Sequence, residues 1–177
     1  MAMPVTHELT PEELFCLEGC RNFEQYCHMR TQFETGFCPF CTVDRSLNKI
    51  YWENEFALCW AVPESFMRRE LEFHFIIVPK RPVRFETELS DDEVLAIHTA
   101  KKKIFSHFNI SGGIVAVRFG DMRLNAGTVP HLHYNIMVPN GTGEVRVPVF
   151  KEPADREKNM ARAQEFANRY EAGEVSN

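Results

Sequence analysis

Hydrophobic and polar positions alternate most clearly over residues 131–138, which predicts a β-strand that ends at Pro139-Asn140-Gly141. Side chains of a strand point alternately to its two faces. One face is apolar and suits a core: Leu132, Tyr134, Ile136 and Val138. The other face carries His131, His133, Asn135 and Met137. A core does not need two imidazoles and an amide, so this second face indicates a metal site, a nucleophile or both.

The rest of the chain predicts short strands with few helices between them. Apolar runs bounded by turn residues predict strands over 49–53, 56–62, 72–79, 113–119 and 144–150. Capping boxes at residues 10–13 and 90–93 predict helices that end at Gly36 and near residue 108, and a third helix is expected over 154–172. Because so few helices cannot flank a parallel sheet, we predict an α+β fold, a mostly antiparallel sheet with packed helices.

Composition and charge are those of an ordinary globular protein. The 177 residues are 44% hydrophobic and carry a net charge of -5. This predicts one sizeable core and disfavours a general affinity for nucleic acid or anionic membranes. No apolar run is long enough to span a bilayer. The N-terminus has no basic segment followed by an apolar one, so we expect no signal peptide and a cytoplasmic protein.

The six cysteines fall into two groups. Four lie in apolar patterns and are expected to be buried as small hydrophobic side chains: Cys16, Cys20, Cys27 and Cys59. Cys38 and Cys41 form a Cys-x-x-Cys motif, which fits half of a zinc site, a redox pair or two thiols without a function. A redox pair needs a strand before it and a helix after it, whereas here a helical pattern precedes the motif and a strand follows.

A second segment with candidate chemistry covers residues 74–81. His74 opens an apolar run, and Lys80 and Arg81 follow where that run ends at Pro79. The two cations could meet an anionic substrate. Taken alone, the segment equally fits a buried strand with a hydrogen-bonded histidine and solvated charges.

The loop before the paired histidines is the third such segment. Asn125, Gly127 and Thr128 offer backbone N–H groups and a hydroxyl, which are the donors that a phosphate needs. If the other two segments were absent, residues 125–128 would be interpreted as a plain turn.

Together and in this order, the three segments resemble the motifs of the histidine triad (HIT) superfamily. HIT proteins carry His-x-His-x-His, which is similar to residues 131–135. They carry an upstream strand that ends in Pro-Lys-basic-His, to which residues 74–81 are similar, and many have an N-terminal Cys-x-x-Cys, similar to residues 38–41. Gly127-Thr128-Val129 resembles the segment that precedes the triad in the family. The resemblance covers about residues 37–140.

The resemblance implies a domain organisation and an assembly. We expect an N-terminal helical extension over 1–36, a HIT-like domain over 37–150 and a C-terminal helix and tail over 151–177. Members often pair about a two-fold axis, so a homodimer is expected.

The resemblance also implies roles for single residues. His133 matches the nucleophile, which would attack a nucleotide α-phosphate and form a covalent nucleotidyl-histidine. His131 and Asn135 occupy the other two triad positions. The expected substrate-binding residues are Thr128, Gly127, Asn125 and Lys80.

In zinc-bearing members the first histidine is a ligand, which implies a zinc site of Cys38, Cys41 and His131. The family's fourth ligand corresponds to Pro82, which cannot bind metal. A bound zinc would therefore need a substitute, for which His28, Cys27, His74 and water are the candidates.

Asn135 stands where the family has histidine or, in some nucleotidyl transferases, glutamine. An amide can donate hydrogen bonds, but it cannot protonate a leaving group. The sequence therefore predicts a nucleotide hydrolase or a nucleotidyltransferase or phosphorylase, with a nucleotide or dinucleoside polyphosphate as substrate. The alternatives are a non-catalytic nucleotide-binding protein and a thiol redox or zinc-stabilised interaction module.

Overall fold

The computed structural model describes residues 17–36, 38–147, 149 and 153–174. Its helices are α1 (Phe23–Glu34), α2 (Asp91–His107), α3 (Met122–Asn125) and α4 (Pro153–Glu171), with short 3-10 turns at Glu64–Phe66 and Glu86–Glu88. Its strands are β1 (Ile50–Glu53), β2 (Ala57–Ala61), β3 (Leu71–Pro79), β4 (Ile114–Arg118) and β5 (His133–Pro139). The α+β fold class predicted from the sequence is confirmed.

The described strands form one antiparallel sheet in the order β1-β2-β3-β5-β4. β5 is last in sequence but lies between β3 and β4, so both of its edges are hydrogen-bonded. A strand paired on both edges has a fixed register, and a shift of one residue would turn every side chain to the other face. The position of each residue of β5 is therefore firmly set.

One face of the sheet is covered by α2 and forms the main core. Ala96, Ile97, Ala100 and Ile104 of α2 are buried with Phe75, Ile77, Tyr134 and Ile136 of the sheet. The helix begins as the sequence predicts, because the Ser90 hydroxyl accepts from the Glu93 N–H and the Glu93 carboxylate accepts from the Ser90 N–H. Glu93 also pairs with Arg81 at 2.7 Å, which connects the start of α2 to the end of β3.

The opposite face, called here the histidine face, carries the residues of β5 that alternate with the core residues. Leu58, Trp60 and Val78 form a small apolar cluster there, and Phe40 and Val43 pack against it. The loop that contains the Cys-x-x-Cys motif therefore covers part of this face.

The chain divides into two compact units. The first comprises described residues within Met1–Cys38, Asp121–Pro130 and Pro148–Asn177, and the second those within Pro39–Gly120 and His131–Val147. In the first unit α1 packs on α4, with Phe23 and Tyr26 at 5.9 and 5.8 Å from the ring of Phe166. The second unit contains the sheet and α2.

Several predicted elements differ from the observed ones. Residues 144–147 and 149 form no strand, so the predicted edge strand over 144–150 is wrong for these residues. Residues 18–21 interrupt the N-terminal helical pattern with a turn, and the loop over 120–130 contains the helical turn α3. The predicted helix start at residues 10–13 lies outside the described residues.

The cysteine predictions are confirmed in part. Cys20 and Cys59 are buried, whereas Cys27 is partly exposed, at the edge of the buried face of α1. Cys16 lies outside the described residues. Among the helices of the described residues, none is both long and apolar enough to cross a membrane.

Glu93→Gln should destabilise the protein by about 1–2 kcal/mol at pH 7, because the capping box and the Arg81 pair lose their charge. Hydrogen bonds from Arg81 and Ser90 hold the pKa of Glu93 below its ordinary value. Its contribution is therefore complete above the unfolded-state pKa and is lost as the pH falls through the lower folded-state pKa.

Urea unfolding of the wild type and Glu93→Gln at pH 7 and at acid pH measures this difference. Asp92→Asn, an exposed position in the same helical turn, serves as the control and should change stability little. A destabilisation by Glu93→Gln that persists undiminished in acid would contradict the assignment.

Candidate active site

His133 and Asn135 lie on the histidine face of the central strand. His133 is opposite Arg118 of β4, and Asn135 is opposite Ala116 of β4 and Ile76 of β3. His133 is 7% exposed and Asn135 is 9% exposed. His131 comes just before β5 and is also buried. The predicted alternation is thus confirmed for the two residues within the strand.

The imidazole of His133 has one defined tautomer. Its Nδ1 lies 2.8 Å from the carbonyl oxygen of His131. A carbonyl only accepts hydrogen bonds, so Nδ1 carries the proton and Nε2 carries the lone pair. Desolvation by burial lowers the pKa of His133 to about 4, and the charge of Arg118 acts in the same direction. The side chain is therefore neutral at pH 7, with a nucleophilic nitrogen available at Nε2.

His131 has the opposite tautomer. Its Nε2 lies 2.8 Å from the carbonyl oxygen of Pro79, so Nε2 donates and Nδ1 keeps the lone pair. That Nδ1 lies 3.5 Å from the Sγ atom of Cys41. Metal-binding histidines usually donate their second ring N–H to a carbonyl in this way, which fixes the ring for the metal.

The ligand atoms of Cys38, Cys41 and His131 lie within 4.8 Å of one another. Tetrahedral zinc with thiolate bonds of 2.3 Å would separate two sulfurs by about 3.8 Å, so these atoms fit the ion after a small adjustment. The described residues supply no fourth protein ligand to this group, and His28, Cys27 and His74 are not part of it. Water is then the remaining candidate for the fourth position.

The Cys-x-x-Cys segment does not have the geometry of a thiol redox site. Residues 39–42 form turns, and the described residues that follow lead through further turns into β1. The thiolate of a redox motif is stabilised at the N-terminus of a helix, and no helix begins here among the described residues.

Asn135 is oriented by His74. The Oδ1 atom of Asn135 accepts a hydrogen bond of 3.0 Å from Nε2 of His74, which is also buried. Within the described part of the chain, the buried Nδ2 atom of Asn135 has no hydrogen-bond partner. The amide N–H groups thus have unused hydrogen-bond donor capacity. His74 is a positioning group rather than a metal ligand in this arrangement.

A cavity of about 330 Å³ adjoins the histidine face. Phe40, Leu58 and Val78 form its apolar walls, and Arg45, Glu53 and Lys80 are its charged residues. The ring of Phe40 also lies 4.8 Å from the ring of His133, so one side chain contacts both the cavity and the His133 imidazole.

Lys80 and Arg81 both have carboxylate partners. Lys80 pairs with Glu53 at 2.8 Å, and Arg45 donates to both oxygens of the same carboxylate. The hydrogen bonds from Lys80 and Arg45 lower the pKa of Glu53, and the bond from Lys80 has the larger effect. Arg81 pairs with Glu93 and has a structural role. The substrate-binding role of Lys80 stays a prediction.

The turn over 125–129 belongs to the helical unit. The side-chain oxygen of Asn125 accepts from the Gly127 N–H at 2.7 Å, and Ala126 has a φ of 54°. Gly19 lies against this turn: a Cβ atom there would come within 2.9 Å of the Gly127 carbonyl oxygen and of Thr128 Cγ2. The segment around Gly19 therefore packs against the turn that carries Thr128.

Comparison with known proteins identifies the fold. No protein-family model matches this chain, and no curated protein sequence matches it. A histidine triad nucleotide-binding protein from Candida albicans is 16% identical, with a TM-score of 0.50 over 72% of this chain and 94% of that one. That similarity shows the fold alone. The chain has the histidine triad fold.

Other solved structures with the histidine triad fold also align. A HIT family hydrolase from Clostridium thermocellum is 26% identical over 61% of this chain and 95% of its own, with a TM-score of 0.48. A zinc-bound histidine triad family protein from Mycobacterium smegmatis is 21% identical over 77% of this chain and 97% of its own, with a TM-score of 0.44.

Two residues of the site were not assigned a role from the sequence. Phe40 lies inside the Cys-x-x-Cys motif but contacts the His133 ring. Arg118 is the residue of β4 that pairs with His133. The sequence contains no signal for the second placement, because it does not give the register of β4 against β5.

Gly19→Ala should lower stability by about 1–3 kcal/mol, since its Cβ would collide with backbone atoms of the turn over 126–128. Gly112→Ala is the matched control, because nothing lies within 4 Å of a Cβ placed there. Chemical unfolding of both variants measures the difference. Equal stabilities of the two variants would show that Gly19 does not support the turn.

Proposed function

We propose that this protein is a HIT-superfamily enzyme that hydrolyses or transfers a nucleotidyl group through a covalent intermediate on His133. The observation that carries the proposal is the hydrogen bond from His133 Nδ1 to the His131 carbonyl. It leaves a neutral, buried imidazole with its lone pair on Nε2, which is the form that a nucleophile requires.

In the first step, the lone pair of Nε2 attacks the α-phosphorus of a nucleotide. A P–N bond forms, and the bond to the leaving-group oxygen breaks with its electron pair on that oxygen. The imidazole becomes cationic, and its Nδ1–H remains bonded to the His131 carbonyl, which stabilises the positive charge. In the second step, water or another acceptor attacks phosphorus and loses its proton to the released leaving-group anion or to solvent, and the P–N electron pair returns to Nε2.

Asn135 limits the choice of leaving group. Its amide donates hydrogen bonds but supplies no proton. A leaving group that is stable as an anion, such as a phosphate or polyphosphate, therefore suits this site better than an amine or an alcohol. This favours nucleoside polyphosphates and dinucleoside polyphosphates as substrates, with Thr128, Gly127, Asn125 and Lys80 as the proposed substrate-binding residues.

The cavity beside Phe40 is the proposed site for the nucleoside. Its apolar walls suit a base, and the charged residues at Arg45, Glu53 and Lys80 suit ribose hydroxyls or phosphate. A homodimer and a cytoplasmic location remain predictions.

Zinc is the proposed metal, held by Cys41, His131 and Cys38 with water as a fourth ligand. When bound, it would have a structural role. Because His131 is the residue whose carbonyl orients His133, a metal that fixes His131 also stabilises the nucleophile's tautomer.

A non-catalytic nucleotide-binding protein is the second candidate. The observation in its favour is that position 135 carries an amide, which cannot protonate a leaving group. The oxygen of this amide accepts a hydrogen bond from His74. A binding protein would retain affinity for nucleotides but form no covalent adduct.

Incubation with an α-labelled dinucleoside polyphosphate should transfer label to the wild-type protein. The adduct should be lost in acid and survive in alkali, as expected for a phosphorus–nitrogen bond. His133→Ala should form no adduct and lose at least ~10³-fold in turnover, because the nucleophile is absent.

His98→Ala is the control for this experiment, since His98 is exposed on α2. It should label like the wild type. If neither the wild type nor His133→Ala is labelled or turns over substrate, while both bind nucleotide, the binding protein is the correct description.

Purified protein should contain about one zinc per chain, and chelation should lower its melting temperature. Cys41→Ser should lose most of the metal, whereas Cys27→Ser, outside the ligand group, should keep it. Elemental analysis of the three proteins decides this. Zinc contents that do not differ between Cys41→Ser and the wild type would refute the site.

A further inference from the structure

The ring of Phe40 packs between a buried residue of the sheet and the imidazole of His133. Its centroid lies 4.8 Å from that of His133, with the two planes at 63°, and 5.5 Å from that of Trp60. Both distances are within the range of about 4.5–7 Å at which aromatic rings attract each other. Trp60 is buried on β2, which is hydrogen-bonded to β1 and β3 on its two edges. Phe40 therefore connects a firmly held side chain of the sheet to the side chain of His133.

The imidazole of His133 needs more than one contact to have a fixed orientation. The hydrogen bond from Nδ1 to the His131 carbonyl sets its tautomer, but it holds the ring at one atom only. Nε2, the proposed nucleophilic atom, is not part of that bond. A tilt of the ring about the bond would move Nε2 out of line with the substrate phosphorus, and reaction rates fall steeply when reacting atoms are misplaced.

Phe40 has the properties of a restraint on such a tilt. Its side chain packs against the apolar cluster of Leu58, Trp60 and Val78, so it is partly buried although it lies in a loop. An aromatic side chain has only two rotatable bonds, and it therefore loses little conformational entropy when it is held in place. If the imidazole tilted, the packing contact between the two rings would be lost. The restraint is therefore built into the fold before any substrate binds.

We propose that Phe40 is a positioning residue, whose ring holds the His133 imidazole with Nε2 directed at the substrate phosphorus. This inference rests on the proposed function of His133. It gives Phe40 a role beyond that of a wall of the cavity. A wall contributes to binding of the nucleoside, whereas a positioning contact contributes to the chemical step, so the two roles separate in KM and kcat.

The kinetic test compares Phe40→Leu and Phe40→Tyr with the wild type in the turnover of a dinucleoside polyphosphate. Leucine keeps an apolar side chain but removes the ring, so kcat should fall about three- to tenfold, while KM changes by about twofold at most. Tyrosine keeps the ring and should restore at least about half of the wild-type kcat. An unchanged kcat in Phe40→Leu, or equal losses in both variants, would overturn the role of the ring.

Val43→Ala is the matched control. Val43 also lines the cavity, packs against the same apolar cluster and is partly buried. Its truncation removes apolar surface from the proposed nucleoside site and leaves both aromatic rings in place. KM should therefore rise about three- to tenfold, whereas kcat should change by about twofold at most. A fall in kcat as large as that of Phe40→Leu would attribute the loss to damage of the whole loop and overturn the proposal.

NMR relaxation of the His133 ring tests the contact without turnover. In protein labelled with ¹³C in the histidine rings, the order parameters of the His133 C–H bonds should fall in Phe40→Leu and stay at wild-type values in Val43→Ala. The ring of His107, which packs against Tyr51 and Phe108, is the internal reference and should not change. Order parameters of His133 that are the same in Phe40→Leu and the wild type would show that Phe40 does not restrain the ring.

The inference and the proposed function fail in different ways. If the wild type forms the adduct while Phe40→Leu matches it in kcat and in the His133 order parameters, this inference is wrong and the proposed function stands. If the wild type is inactive, the proposed function fails, and the NMR measurement alone decides whether Phe40 restrains the ring. If Phe40→Leu does not unfold cooperatively, Phe40→Met takes its place, and wild-type kcat and order parameters in that variant overturn the proposal.

Discussion

The double pairing of β5 is the constraint on which the rest of the site depends. β3 and β4 hydrogen-bond to its two edges, so its register is fixed from both sides. Tyr134 and Ile136 then enter the core beneath α2, and burial of these side chains holds the strand against rotation or slippage. As a direct consequence, His133 and Asn135 must lie on the opposite face. Packing of the core on one face of the sheet thus fixes where His133 and Asn135 lie on the other face.

Two backbone carbonyls determine which ring nitrogen of each histidine carries the proton. The Pro79 carbonyl at the end of β3 accepts from His131, and the His131 carbonyl accepts from His133. Each bond fixes one tautomer, so the His131 lone pair is directed to a thiol and the His133 lone pair remains at Nε2. Two chemically identical side chains, two residues apart, therefore have different tautomers. Burial keeps the second of them neutral, since desolvation opposes its charged form.

Two further polar residues, Asn135 and Arg118, lie beside His133 in the sheet. Asn135 accepts a hydrogen bond from His74 and can donate hydrogen bonds but no proton, while Arg118 lies across from His133 on the neighbouring strand. The Cys-x-x-Cys loop also forms part of the surroundings of His133, because the ring of Phe40 contacts the His133 ring.

The sequence by itself determined the elements whose signals are local. Alternation predicted the faces of β5, the capping box predicted the start of α2, and three ordered motifs predicted the histidine triad fold. Local signals gave a wrong prediction over residues 144–147, which alternate like a strand but form none, because strand formation also requires a pairing partner in the sheet. Only the tertiary structure decided the tautomers of His131 and His133, the His74–Asn135 bond, the support of the 126–128 turn by Gly19, and the place of Arg118. Each of these depends on strand register or on the close approach of segments far apart in the chain, and neither is encoded in the pattern of a single segment.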